Sequence, residues 1–169
     1  GTLGTDFTHN VTSGLVGGGA VNVTVVDEAL GNPERVLLHR DLATPVSTGT
    51  LWGSLLMRAN GAVPVGDIQI RMPNDEQLMK GWGTTFAGTS KDMGADTIHQ
   101  LVWKYDFDAD LYSLWVDPTD LSSEAAIGAA DGTFGIALSD IPGITIGFQR
   151  YGSPNVDIDE LILGTDITD

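Results

Sequence analysis

At 169 residues, 41% of them hydrophobic and none cysteine, the chain suits one domain around one core, with no disulfide framework, thiolate metal site or cysteine nucleophile. Its formal charge of −15, from 23 acids against 8 bases, makes nucleic acid and anionic membranes unfavourable partners. No run approaches the ~20 apolar residues of a membrane helix, so no membrane insertion is expected.

The charge is uneven. Through Ser90 there are 8 acids and 5 bases; the remaining 15 acids and 3 bases make only the second part strongly acidic. The start, GTLGTDFTHN, has neither the basic nor the apolar region of a signal peptide, so an exported form would be processed or truncated. Asn10-Val11-Thr12 and Asn22-Val23-Thr24 match the N-glycosylation sequon, which matters only in a glycosylating secretory system.

The 22 glycines and 7 prolines punctuate short segments rich in Val, Ile, Thr, Leu and aromatics, the pattern of many strands joined by turns. The GGG at 17–19 reads as a turn, AVNVTVV (20–26) as an alternating strand, DEALGNPE as a turn and RVLLHRDL (35–42) as a second strand. TLWGSLLMRAN (50–60) is apolar on both parities and so reads as a central strand. DIQIRMP (67–73) alternates Ile68, Ile70 and Met72 with polar residues, and Pro73 should end it. In PNDEQLMKGW, Asn74 and Gln77 resemble a capping box, which predicts one turn of helix at most.

TIHQLVWKYDF (97–107) and LYSLWVDP (111–118) flank Asp108-Ala109-Asp110, which predicts a hairpin with a short acidic turn. Leu101, Trp103, Tyr105 and Phe107 share one face of its first strand. Residues 119–133, rich in Ser, Ala, Asp and Gly, read as a surface loop. TFGIALSDI, GITIGFQRY and VDIDELILGT supply three more strands. Roughly nine or ten strands with almost no helix predict an all-β fold, an antiparallel two-sheet β-sandwich of jelly-roll type.

SGLVGGGAVNV, TLWGSLLMRA, LVWKYDFDADLYSLWVDP and IDELILGT, in that order, resemble the laminin-G-like or concanavalin A-like jelly rolls of bacterial exported proteins, over residues 13–167. The resemblance implies a single concanavalin A-like domain over 1–169, lacking an N-terminal strand region that such proteins usually carry. It also implies a basic residue where Ile162 stands. It implies an extracellular or cell-surface protein whose relatives bind carbohydrate or mediate adhesion. A missing edge strand would leave a sheet edge open to pairing with another chain.

Sites are argued separately, because one fold serves many functions. A glycoside hydrolase of this fold needs Glu-x-Asp-x-x-Glu on a strand, so that alternate carboxylates face one sugar bond. The motif is absent; Asp157 and Asp159 share a face, but Leu, Ile and Leu occupy 161–163. His9, His39 and His99 are isolated, and His39 and His99 read as strand residues with satisfied rings.

Asp106, Asp108 and Asp110, with Asp117, have the 1, 3, 5 and 12 spacing of a calcium loop, yet Leu111 occupies the position that requires glycine and strands replace the flanking helices. A solvated turn is therefore preferred, with the three aspartates kept as candidate calcium ligands. The resemblance adds a rim calcium site to which Asp159 or Glu160 would contribute.

For carbohydrate, Trp82, between glycines, and Trp115, on the parity of Ser113 and Asp117, are candidates for stacking on sugar rings, with Tyr112 and then Tyr151 behind them. Trp103 is assigned to the core. The expectation is a noncatalytic exported module that binds a polysaccharide or cell-surface glycan or mediates adhesion. The alternatives are a structural subunit self-associating through sheet edges and, behind it, a polysaccharide hydrolase or lyase.

Overall fold

The computed structural model describes residues 7–10, 20–24, 35–60, 67–71, 77–80, 89–92, 94–149 and 155–167. Among them are β1 (Phe7–Asn10), β2 (Ala20–Thr24), β3 (Arg35–Val46), β4 (Thr50–Ala59), β5 (Asp67–Arg71), β6 (Gln77–Lys80), β7 (Ile98–Asp106), β8 (Leu111–Val116), a short helix α1 (Glu124–Ile127), β9 (Gly132–Gly135), β10 (Ile141–Gln149) and β11 (Asn155–Gly164). They form two antiparallel sheets: seven strands in the order β1-β2-β11-β4-β7-β8-β9, and four in the order β3-β10-β5-β6. The predicted two-sheet jelly-roll sandwich is the observed fold.

Period-two alternation decides which side chains meet between the sheets. Along β4, Leu51, Leu55, Met57 and Ala59 are buried inward. Across the register, Gly53 lies opposite Trp103, which lies opposite Leu114. Leu101, Trp103 and Tyr105 of β7 are fully buried, as the sequence predicts; Phe107, just past the strand, is partly buried and packs edge-to-face on Tyr105, centroids 4.7 Å apart. Ile141 and Ile144 of β10, with Leu42 and Val46 of β3, close the core from the other sheet.

Three local expectations are corrected. Gln77–Lys80 is strand β6, paired with β5, where a helical turn was expected; Asn74 lies outside the described residues. Residues 119–133 are more than a loop, since they hold α1 and the start of β9. The strand expected over TFGIALSDI stops at Gly135, where the chain turns to other partners: Ile136 N–H donates to the Asp110 carbonyl, and Leu138 N–H to the Tyr105 hydroxyl.

In β11 the pairing skips a residue between Asp159, opposite Leu56, and Ile162, opposite Ser54. Glu160, at φ 51°, sits in this bulge. One extra residue reverses the alternation beyond it, so Asp157, Asp159 and Ile162 share the outer face while Leu161 and Leu163 return to the core.

Candidate functional site on the outer face of the seven-stranded sheet

The outer face of β11, β4 and β7 is built by the residues alternate to the core set. From β4 come Trp52, Ser54, Leu56 and Arg58, which at ~3.4 Å per residue span about 20 Å. Opposite Arg58 stands Asp157, and the two form an ion pair at 2.5 Å with Asp157 nearly buried. Asp159 is also nearly buried, and its carboxylate accepts from the Glu160 N–H at 2.9 Å. At the other end of the stripe Trp52 stacks on Trp115, centroids 5.5 Å apart and planes 21° from parallel. Lys104 Nζ lies 5.6 Å from the Trp52 ring centre and pairs with both Glu124 and Asp106.

A second, smaller apolar cluster therefore sits outside the sandwich: Trp52, Val102 and Trp115, packed by Leu121, Ile127, Ala130 and Ile167. The segment between β8 and β9 is the cover. Ser122 turns its start, and hydrogen bonds from its side chain and backbone hold the Asp120 carboxyl below the usual carboxylate range. Ser123 caps α1 through its hydroxyl, which accepts from Ala126 N–H. The Trp115 indole donates to the Gly128 carbonyl at 3.0 Å, and Asp131 takes the Val116 N–H at 2.8 Å.

Between this cover, the turn after β11 and the sheet lie two depressions that share Trp52, Asp166 and Ile167. One, of about 40 Å³, has an apolar floor of Trp52, Val102, Leu121 and Ile162 beside Ser54. The other, of about 290 Å³, is walled by Ser122, Ser123 and Glu124. Ile162, where a basic residue was expected, is a half-exposed apolar side chain at the lip, 48% accessible. An apolar floor with hydroxyls and carboxylates at its edge can take the carbon face of a sugar ring while pairing its hydroxyls.

The sequence-predicted site residues are not gathered here as expected. Trp115 does face outward, but at 6% exposure under the β8–β9 segment it offers no open ring to a ligand. Tyr112 points the other way, into the core at 1% exposure against Phe134, because its parity is that of Leu114 and Val116; burial pushes its phenol far above the ordinary value. Trp82 and Tyr151 lie outside the described residues. Trp52, which the sequence reading did not name among the site residues, lines both depressions but at 4% exposure is no more open than Trp115, so the accessible apolar part of the floor is Ile162 with the partly buried Leu121.

The acidic turn of the hairpin is closed by its own side chains. Asp106 accepts the N–H groups of Asp108 and Ala109 and so closes the hairpin turn with its own carboxylate. Asp117 sits at the opposite end of the hairpin, where it hydrogen-bonds His99 Nδ1 at 2.7 Å and the Gln100 N–H at 2.8 Å. Among the described residues no three His, Asp or Glu side chains converge to hold a metal, and this covers Asp110, Asp159 and Glu160. His99 is a buried strand residue, as predicted, with its ring hydrogen-bonded at Nδ1. No helix among the described residues is long and apolar enough to cross a membrane.

Comparison with protein families finds no matching family, and comparison with curated proteins finds no match. Solved structures do match. A protein named cellulose-induced protein Cip1 superposes with a TM-score of 0.65 at 12% identity, covering 94% of this chain and 85% of that one. The alginate lyase AlgAT5 of polysaccharide lyase family 7 gives 0.63 at 12% identity, covering 96% and 83%. The catalytic domain of the glycoside hydrolase family 131 protein from Coprinopsis cinerea gives 0.53 at 13% identity, covering 86% and 70%.

At these identities the likeness is one of fold, a jelly-roll β-sandwich that carbohydrate-active domains share. It overturns the expectation of a noncatalytic binding or adhesion module. An alginate lyase and a glycoside hydrolase stand among the neighbours, so the fold is one that catalytic as well as noncatalytic proteins share.

Proposed function

We propose that this chain is a carbohydrate-active sandwich domain that takes a polysaccharide along the outer face of its seven-stranded sheet. The observation that carries this reading is the pair of depressions around Trp52, where an apolar floor meets Ser54, Ser122, Ser123, Glu124 and Asp166. The stripe from Trp52 to Arg58 continues the face for about 20 Å, long enough for several sugar rings. The likeness to a lyase and a glucanase of the same fold supports a polymer as partner.

Affinity electrophoresis through gels containing polysaccharides, run beside an assay for newly released chain ends, tests binding and cleavage together. Ile162→Ala and Asp166→Ala change exposed lining residues, so they should leave the melting temperature in place and weaken retardation several-fold. Retardation or cleavage that both variants retain in full would place the polymer elsewhere, and no response to any polymer would refute the reading.

A further inference from the structure

Trp52 and Trp115 stack on the outer face of the sheet, yet at 4% and 6% exposure neither ring is open to a ligand. What shuts them in is the segment between β8 and β9. No residue of it from Asp117 to Asp131 is buried, and α1 contributes no buried side chain. Its apolar contacts with the pair are the half-buried Leu121, Ile127 and Ala130. The same segment walls both depressions, Leu121 the smaller and Ser122, Ser123 and Glu124 the larger, while Trp52 lines the two.

Both ends of the segment are anchored to the sheet. The Asp117 carboxylate bonds His99 Nδ1 at 2.7 Å and accepts from Gln100 N–H at 2.8 Å, and Asp117 N–H donates to the Gln100 carbonyl. Asp131 N–H donates to the Leu114 carbonyl, and its carboxylate takes the Val116 N–H. Between these anchors, the bonds described to the sheet are the Trp115 indole on the Gly128 carbonyl and the Lys104–Glu124 ion pair. Glu124 is open to water, which keeps such a pair weak. Gly128, at φ 81°, has a backbone conformation that other residues rarely adopt.

We infer that residues 118–130 are a flap, and that the Trp52–Trp115 pair beneath it is an occluded platform for sugar rings. The inference rests on the proposed function and adds where on the face the rings stack. Local opening is drawn from segments with few buried apolar contacts, and this one buries no residue fully. Opening joins the two depressions into one trough, because the segment is a wall of each. Stacking leaves each indole one ring face turned away from the other, and such a face takes the carbon face of a sugar. A chain that binds only the open form has its apparent affinity lowered by the closed fraction, so loosening the flap strengthens binding. A fixed cover that serves as a wall of the site gives the opposite sign.

Hydrogen exchange in the intact chain, followed by nuclear magnetic resonance, reads the flap without any ligand. The Trp115 indole N–H should exchange at least about 100-fold faster than the slowest amides of β7 and with little dependence on urea, while Val116 and Asp131 N–H at the anchor stay protected. Exchange of that indole only through global unfolding would overturn the inference. Ile127→Ala removes part of the seal, so acrylamide quenching of tryptophan should rise. Soluble oligosaccharides of glucan, mannan, xylan and alginate are the probes, and the one that binds the parent chain should bind this variant several-fold more tightly. Equal or weaker binding with increased quenching would overturn the inference and leave the proposed function standing. Binding of no saccharide by either chain would remove the proposed function, and with it the ligand assigned to this platform, whatever the exchange shows.

Discussion

Gly53 lies in the middle of β4 directly opposite Trp103, and a Cβ at this position would fall 2.1 Å from the indole carbon Cζ2. The ring lies across the strand only because no side chain is there, so glycine in a strand interior marks a close approach. Gly53→Ala should cost about 1–3 kcal/mol through overpacking, read by urea or thermal unfolding. An unchanged stability would mean that the indole lies elsewhere. Two buried tyrosines make a matched pair. The Tyr105 hydroxyl donates to the Ile136 carbonyl at 2.7 Å and accepts from Leu138 N–H at 3.0 Å, which ties the chain after β9 to the core. The Tyr112 hydroxyl is buried with no hydrogen-bond partner among the described residues. Tyr105→Phe should therefore destabilise by about 1–3 kcal/mol, and Tyr112→Phe should be neutral or stabilising by up to about 1 kcal/mol. A reversed order of the two melts would contradict this hydrogen-bond assignment. Tyr112 was legible as a core residue from its parity with Leu114 and Val116; treating it as a surface aromatic ignored that alternation.

The hairpin of β7 and β8 and the strands β3, β4, β10 and β11 were readable because apolar residues of each meet in the core. The short helix and the cover over Trp115 were not, since a segment of Ser, Ala and Asp shows no period. The legible signal was on the sheet instead. A strand apolar on both faces, as in TLWGSLL, implies that something covers its second face, and Leu121 and Ile127 are the apolar residues of the covering segment. The bulge at Glu160 was equally hidden: strict alternation from Asp157 would have sent Leu161 and Leu163 into water, and only the register shows the extra residue. If the cover is held mainly by the small cluster around Trp52 and Trp115, a charge under it should open it locally. Ile127→Asp should expose residues 119–131 to protease and red-shift tryptophan emission, while costing roughly 0.5–1.5 kcal/mol of global stability. A full loss of folding would instead make this segment part of the main core.

Over the molecule as a whole, the two faces of the seven-stranded sheet have different tasks. One is spent on the sandwich core. The other combines a covered aromatic pair, two depressions and a file of paired charges, on a chain whose acidity is concentrated after Ser90. Composition had pointed to a β-sandwich and away from nucleic acid, but not to this face, because it is assembled from β4, β7, β11, the β8–β9 segment and the turn at Asp166, which lie far apart in sequence. The likeness to carbohydrate-active folds fixes the scaffold and leaves the chemistry to these residues. The most direct test is to titrate isotopically labelled protein with a soluble oligosaccharide from whichever polymer retains it, and to follow resonances by nuclear magnetic resonance. The indole N–H of Trp52 and the methyls of Ile162 should shift with saturable dependence while Trp103 stays fixed. Shifts confined to β3, β10, β5 and β6, or no shift anywhere, would contradict the assignment of the ligand to the outer face.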